Sequence, residues 1–212
     1  MMRPLWPLAF LLLAGCAGPA VVPVESPERT WAERATALSA IDTWELRGRV
    51  SVAEGDVAWH LKLFWQQSAD GFRMDLAGPF GAGAVKLSGN RDGVLLRDAN
   101  GHRWRADSAD QLLWQHTGIF MPVGGLRYWI RGLPTPEQDT RDMALDAAGR
   151  LARLRQNGWT ITFREYRPVD GLDLPRNLLV RRGDIEVRVV VDRWLLPTGS
   201  KDGTTERQPS PS

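Results

Sequence analysis

Val57-Ala58-Trp59-His60-Leu61-Lys62-Leu63-Phe64-Trp65-Gln66 alternates with period two. Val57, Trp59, Leu61, Leu63 and Trp65 fall on one side, and Ala58, His60, Lys62, Phe64 and Gln66 on the other. Successive side chains of an extended strand point to opposite faces, so this is a strand with one packed and one wet face. The stretch before it repeats the pattern. In Trp44–Val52, Trp44, Leu46, Val50 and Val52 are apolar, while Glu45, Arg47, Arg49 and Ser51 are polar. Glu54-Gly55-Asp56 between the two reads as a turn. Gly71 opens a third strand, with Phe72, Met74 and Leu76 opposed to Arg73 and Asp75. Three strands separated by turn-length gaps predict an antiparallel meander.

The same grammar continues downstream. Val85 and Leu87 flank Lys86, Asn90–Gly93 turns the chain, and Val94–Arg97 pairs with His102–Arg105 around Asn100-Gly101. Two helices are then inserted. Ser108-Ala109-Asp110-Gln111 has the form of a capping box, and Gly118 ends that helix. Pro122 suits the first turn of the next, with Leu126, Trp129 and Ile130 on one stripe before Gly132 and Pro134. Strands resume at Met143 and Leu145, then Leu151–Gln156, then Trp159, Ile161 and Phe163. Arg167–Asp173 reads as a loop, and Leu178–Arg182 with Ile185–Trp194 as a last hairpin through Gly183-Asp184. A helix precedes everything, with Trp31, Ala35, Leu38 and Ile41 on one stripe and Thr30 as N-cap.

A sheet of this length curls, because strands twist, and its apolar inner face must be covered. The expected fold is therefore mainly β: an open, incomplete antiparallel β-barrel of about 11 strands with a helical lid enclosing an apolar cavity. The residues expected to line it are Leu46 and Val50, then Trp59, Leu61, Leu63 and Trp65, then Phe72, Met74 and Leu76. Leu126, Trp129 and Ile130 would face it from the lid, and Trp159, Ile161 and Phe163 from the far side. The chain has ten tryptophans, all but Trp6 beyond residue 16. Tryptophan gathers in cores, apolar pockets and membrane interfaces, so either a Trp-rich core or a wide cavity accounts for them.

The formal charge of +2 offers no footprint for nucleic acid. His60, His102 and His116 lie on different elements without ligand spacing, so no metal site is expected. There is no nucleophile elbow and no P-loop. Gly81-Ala82-Gly83 is followed by a strand-like stretch rather than a helix, which does not suit a nucleotide. No catalytic residues are assigned. The informative loop is Gly78-Pro79-Phe80-Gly81-Ala82-Gly83-Ala84. It cannot pack a core of its own. Phe80 at its tip either folds back onto the barrel or projects toward a membrane, where burying one Phe is worth about 1.5–3 kcal/mol.

The N-terminus gives an address. Arg3 precedes the apolar run Leu5–Leu13, and Leu13-Ala14-Gly15-Cys16 closes it. A nine-residue helix rises about 14 Å against a bilayer core of about 30 Å, which disfavours a spanning anchor. A basic start, a short apolar run and small residues mark a secretory signal. Leu-Ala-Gly-Cys resembles the lipobox of bacterial lipoproteins. That implies removal of residues 1–15, with diacylglycerol and an N-acyl chain on Cys16 as the sole attached groups. Cys16 is also the only cysteine. Residues 16–30, with Pro19, Pro23 and Pro27, read as a tether, 31–196 as the folded domain, and 197–212 as a polar, disordered tail.

Taken together, Leu13–Cys16, Arg47-Gly48-Arg49, Phe64-Trp65-Gln66-Gln67, Gly78-Pro79-Phe80-Gly81, Trp129-Ile130-Arg131-Gly132-Leu133-Pro134, Asn157-Gly158-Trp159 and Trp194 resemble the LolB family. The resemblance implies an open barrel with a helical lid, anchored by lipid at the periplasmic face of the outer membrane. It implies a monomer that accepts acylated lipoproteins from the periplasmic carrier LolA and inserts them in the outer membrane. In the family the projecting loop carries an apolar residue, commonly leucine; Phe80 holds that place here. Ala17 after Cys16, in place of the aspartate of inner-membrane retention, agrees with an outer-membrane destination. With no nucleotide site, transfer would run on affinity differences, the acyl chains contributing about 0.8 kcal/mol per buried CH₂. Arg47 and Arg49 are candidates to meet an acidic partner at the cavity mouth. The alternative function is a structural scaffold in envelope assembly, which would have a filled core and no lipid binding.

Overall fold

The computed structural model describes residues 23–136 and 140–197. The lipobox, Cys16 and the tail beyond Pro197 lie outside the described residues.

The alternation read from the sequence becomes eleven strands in one sheet. β1 (Trp44–Glu54), β2 (Val57–Gln67), β3 (Gly71–Ala77), β4 (Val85–Asn90), β5 (Gly93–Asp98) and β6 (Arg103–Ala106) form one meander. β7 (Thr140–Leu145), β8 (Leu151–Gln156), β9 (Trp159–Val169), β10 (Leu172–Arg182) and β11 (Ile185–Leu195) form a second. The meanders join at their oldest and youngest strands, β1 against β11, and every pairing is antiparallel. The chain thus begins in the middle of the sheet, runs out to the β6 edge, crosses to the β7 edge, and returns to the middle. α2 (Ala109–Thr117) and α3 (Val123–Trp129) are that crossing. Helices tied to both edges of a curled sheet must span its concave face, which makes them a lid on an open barrel.

The seam between β1 and β11 explains Arg47-Gly48-Arg49. The register shifts between Arg47 and Gly48, where β11 bulges past β1. A Cβ on Gly48 would lie 2.3 Å from the carbonyl oxygen of Val190, closer than any side chain tolerates, so only glycine lets the two meanders meet here.

Two segments depart from the sequence reading. The first helix, α1, spans Pro27–Ser39 rather than starting at Trp31. Thr30 is therefore inside it, and Ser26 takes the cap position without a side-chain bond. Proline at the first helical position is preorganised for the turn. Val24 N–H also donates to the Ala147 carbonyl at 2.8 Å, so the stretch expected to be a tether through residue 30 is already docked by Val24. The second departure is Arg167–Asp173, expected as a loop. β9 and β10 run straight through it, turning only at Asp170-Gly171, with both residues at positive φ.

Candidate functional site

The inner face of the sheet and the lid share one apolar cluster. Of the residues expected to line the interior, Leu46, Val50, Leu61, Leu63, Trp65, Met74, Leu76, Leu126, Trp129, Ile130, Trp159, Ile161 and Phe163 are buried within it. Trp59 and Phe72 are half-buried against its margins, at opposite ends of β2. At the Phe72 end Trp44 packs on Trp65 at 5.2 Å and on Trp194 at 5.4 Å, ring centre to ring centre, and Trp65 on Phe72 at 6.5 Å. These rings plug that end of the barrel.

The other end carries the Gly78–Ala84 loop. Gly78 N–H donates to Ala82 O at 2.8 Å, and Gly81 N–H and Ala82 N–H close a 3₁₀ turn onto Gly78 O and Pro79 O at 3.1 Å each. A Cβ at Gly78 would approach Ala82 O to 2.7 Å. Phe80 occupies the tip with φ of 56°, a left-handed conformation that costs an L-residue about 1–2 kcal/mol. Its ring is fully exposed. The sequence left open whether Phe80 folds back or projects; it projects. Gly would sit there without strain and Asn with less, and no neighbour in the barrel holds the exposed ring.

The loop stands between two clefts. On its inner side a cleft of about 610 Å³ is lined by Trp59, Leu61, Val85 and Ile119, with Pro79, Ala82 and His116 at its margin. It lies between the loop, the β5–β6 turn and the C-terminal end of α2, which ends at Gly118 in the left-handed form beside Trp59. Its size is that of a site for a small apolar ligand. His116 stacks on Trp104 at 4.2 Å, which accounts for it as a packing residue of α2. On the outer side a cleft of about 430 Å³ is lined by Arg49, His60, Lys62, Arg188 and the same Gly78-Pro79. Arg47 and Arg49, expected at a cavity mouth, lie on this outer sheet face. Arg47 covers the Phe64 ring at 5.3 Å, and Arg49 pairs with Asp192 at 3.0 Å.

Four polar groups fasten the lid. Gln156, buried at the end of β8, accepts from Trp129 Nε1 at 3.0 Å and from Thr135 N–H at 2.8 Å, and donates to Thr135 O at 3.1 Å. Arg131 is buried at the end of α3 and donates through Nη1 to Ile41 O at 2.6 Å and Leu38 O at 3.3 Å, filling the open C-terminus of α1. Arg182 lies 4.7 Å over the Phe120 ring and 4.5 Å over Trp159, clamping the α2–α3 connection to β9. Asp110 Oδ1 accepts from Gly124 N–H at 3.1 Å and ties the start of α3 to α2. Ser108 Oγ accepts from Gln111 N–H at 3.3 Å, so the capping serine acts as the sequence suggests.

Burial raises the Asp110 carboxyl above its ordinary value, although the backbone N–H groups of Gly124 and Val123 pull the other way. A raised folded-state value means that its contribution is full at acid pH, below the unfolded value, and is lost as pH rises through the folded one. Asp110→Asn, which keeps the acceptor for Gly124 and removes the charge, is expected to hold or raise stability at pH 7 and to flatten its dependence on acid pH. Asp110→Ala should instead lose about 0.5–2 kcal/mol, as a lost cap does. Urea titrations of both variants across that range check the signs.

A family model described as outer membrane lipoprotein LolB matches residues 42–194. Relatives named outer-membrane lipoprotein LolB include one from Alkalilimnicola ehrlichii, 39% identical over 189 residues, which span 89% of this chain and 94% of the relative. One from Nitrosococcus oceani is 39% identical over 191 residues, with 89% and 94% covered. One from Pseudomonas aeruginosa is 35% identical over 189 residues, with 88% and 92% covered. Among solved structures, a LolA superfamily protein from Nitrosomonas europaea superposes with a TM-score of 0.51 at 9% identity, over 84% of this chain and 95% of that one. A DUF1329 family protein from Desulfovibrio piger gives 0.52 at 9%, over 85% and 98%. At such identities these two speak for the fold alone: an open sheet with a helical lid. With the family model spanning β1 to β11 and near-full-length relatives above 30% identity, the chain belongs to the LolB family of outer-membrane lipoproteins.

Proposed function

We propose that this protein is the outer-membrane receptor of lipoprotein localisation: it takes acylated lipoproteins from a LolA-type periplasmic carrier and inserts them in the outer membrane. The observation that carries the reading is the exposed, strained Phe80 on a loop beside a cleft floored by Trp59, Leu61, Val85 and Ile119. An acyl chain leaving the inner face at that rim passes next to the residue aimed at the bilayer. The inner-face residues from Leu46 to Phe163 would hold the cargo chains, and the lid would move to admit them. No covalent step is needed, and the protein acts without catalysis. Acyl burial of about 0.8 kcal/mol per CH₂ means that complete enclosure of three chains would reach the limit of non-covalent affinity, about −18 to −21 kcal/mol. A relay must hold its cargo less completely, and a barrel open between β6 and β7 does. Cys16, lipidated, would keep the domain at the periplasmic face of the membrane.

The test is native mass spectrometry of the protein after mixing with a carrier loaded with a triacylated lipoprotein. A one-to-one complex with the cargo is expected. Recovery of the protein free of cargo, with the carrier still loaded, would favour the scaffold alternative.

A further inference from the structure

The outer face of the first meander carries a charge pattern that stability does not explain. Register places Lys86 opposite Arg97 and Arg97 opposite Arg103, and Lys62 opposite Arg49, whose charge Asp192 shares at 3.0 Å. Like charges directly across an antiparallel pair destabilise it. Elsewhere the same sheet avoids or relieves such pairs. Arg181 faces Glu186 at 2.6 Å and Arg176 meets Glu165 at 2.6 Å. Arg47 and Arg193 are opposed, but Arg47 has Glu45 at 3.4 Å; Arg141 and Arg155 are opposed, but Arg155 has Asp142 at 3.2 Å. In the first meander Lys62, Lys86, Arg97 and Arg103 are exposed, and no ion pair with a carboxylate is found for them among the described residues. Asp75 lies opposite Lys86 but is engaged by Arg73 at 3.0 Å.

The position of this row matters as much as its sign. Lys62 is in register with Ala77, the residue before the Gly78–Ala84 loop, and Lys86 follows Val85, where the loop ends. Arg97 and Arg103 flank the β5–β6 turn at the same rim. The cations therefore cross the sheet at the foot of the loop that presents Phe80. One buried Phe is a weak anchor, and weak apolar contacts hold to membranes when joined to a basic patch. We infer that Lys62, Lys86, Arg97 and Arg103 form a docking row for anionic phospholipid headgroups, which turns the rim and Phe80 toward the bilayer. The inference deepens the proposed function and rests on its assignment of the Phe80 loop to the membrane.

The experiment uses the full mature chain with Cys16→Ala, so that no anchor masks the weaker contact. It is sedimented with mixed phosphatidylethanolamine–phosphatidylglycerol vesicles and with phosphatidylcholine vesicles. Binding to the anionic vesicles is expected to exceed binding to the neutral ones and to fall as salt rises. Each cation near such a surface is worth roughly five-fold in binding, so Lys62→Gln, Lys86→Gln and Arg97→Gln together should cost about a hundred-fold on anionic vesicles and little on neutral ones. Removing like-charge pairs relieves repulsion, so the triple variant should melt no lower than the parent; circular dichroism verifies that it is folded. Equal sedimentation of parent and triple variant overturns the inference. Equal sedimentation with slower cargo uptake from the carrier also overturns it, and gives the row to an acidic protein face instead. Sedimentation needs no cargo, so failure of cargo uptake by the parent would count against the proposed receptor and leave this result standing.

Discussion

Phe80→Glu is expected to leave the fold and cargo uptake unchanged and to slow insertion of cargo into membranes by about 10- to 100-fold. The magnitude follows from losing the burial of one Phe, about 1.5–3 kcal/mol, at the step where the loop enters the bilayer. The fold should survive because the ring is fully exposed and is held by no neighbour in the barrel. Phe80→Gly separates the two roles of the position. With φ at 56° in the native turn, glycine removes strain of about 1–2 kcal/mol, so this variant should melt at or above the parent temperature while inserting cargo as poorly as Phe80→Glu. Phe80→Leu should insert nearly as well as the parent. Transfer of labelled cargo from the receptor to vesicles, with thermal melts beside it, measures both. A normal insertion rate in Phe80→Glu would remove the loop from the mechanism.

Gln156→Leu is expected to be the most damaging single change in the lid. Gln156 is 1% exposed and bonds Trp129, both backbone groups and the hydroxyl of Thr135, and the Thr140 hydroxyl. Leucine fills a similar volume but leaves the Trp129 indole N–H, the Thr135 N–H and the Thr135 carbonyl facing an apolar side chain. Each buried group left without its bond costs about 1–3 kcal/mol, so a loss of roughly 3–5 kcal/mol is expected. For a domain of this size that lowers the melting temperature by roughly 6–20 °C. Trp129→Phe removes one of these bonds and keeps most of the ring, so it should cost clearly less. A Gln156→Leu protein that melts with the parent would mean that the lid is not fastened at β8. If the lid is the part that moves, the same variant should also let the interior take up an apolar dye that the parent excludes.

How much of this was legible beforehand depended on whether a residue's chemistry agreed with its position. In β1 and β2 the apolar residues fall on every second position, so the packed face and the curl of the sheet followed from the pattern, while the register shift at Gly48 did not. The β9–β10 hairpin broke that rule. Pro168, Asp170-Gly171 and Pro175 look like loop chemistry, yet Pro168 pairs with Asp173 and Tyr166 with Pro175 in a continuous ladder. Tyr166 itself explains why the segment stays in the sheet. It donates through its hydroxyl to Leu151 O at 2.7 Å, and burial pushes its titration far up. The start of α1 was misread because Thr30 offers a side-chain cap and Ser26 uses none. Packing set the boundary: a Cβ at Gly149 would meet Pro27 O at 2.8 Å, so the β7–β8 turn and the first residue of the helix touch.

The lid latches were hidden for a different reason. Gln156 shares a face with Leu154, and parity alone points it inward, but a glutamine before Asn157-Gly158 reads as the start of a turn. Arg131 sits just past its own helix, where no local pattern tells that it caps another helix through Leu38 O and Ile41 O. A polar residue at an inward position beside a strong turn was the available signal, and reading it needs parity to be trusted over polarity. The Phe80 loop was found from its glycines. Its outward direction came only from the backbone, since φ at Phe80 is not written in the residue type.

The seam between β1 and β11 has a consequence for biogenesis. Every other pairing in the sheet joins strands that follow one another in the chain. β1 alone waits for a partner that lies at residues 185–195. A polypeptide delivered to the periplasm amino end first therefore presents β1 with one open edge until almost the whole sequence has crossed. Its hairpins can form early, whereas the ring of contacts that unites the two halves forms last and across the greatest loop-closure entropy. An open strand edge is a template for pairing with other chains. During that interval Arg47 and Arg49 on β1 carry charge along the waiting strand, which guards it against the wrong partner before β11 arrives.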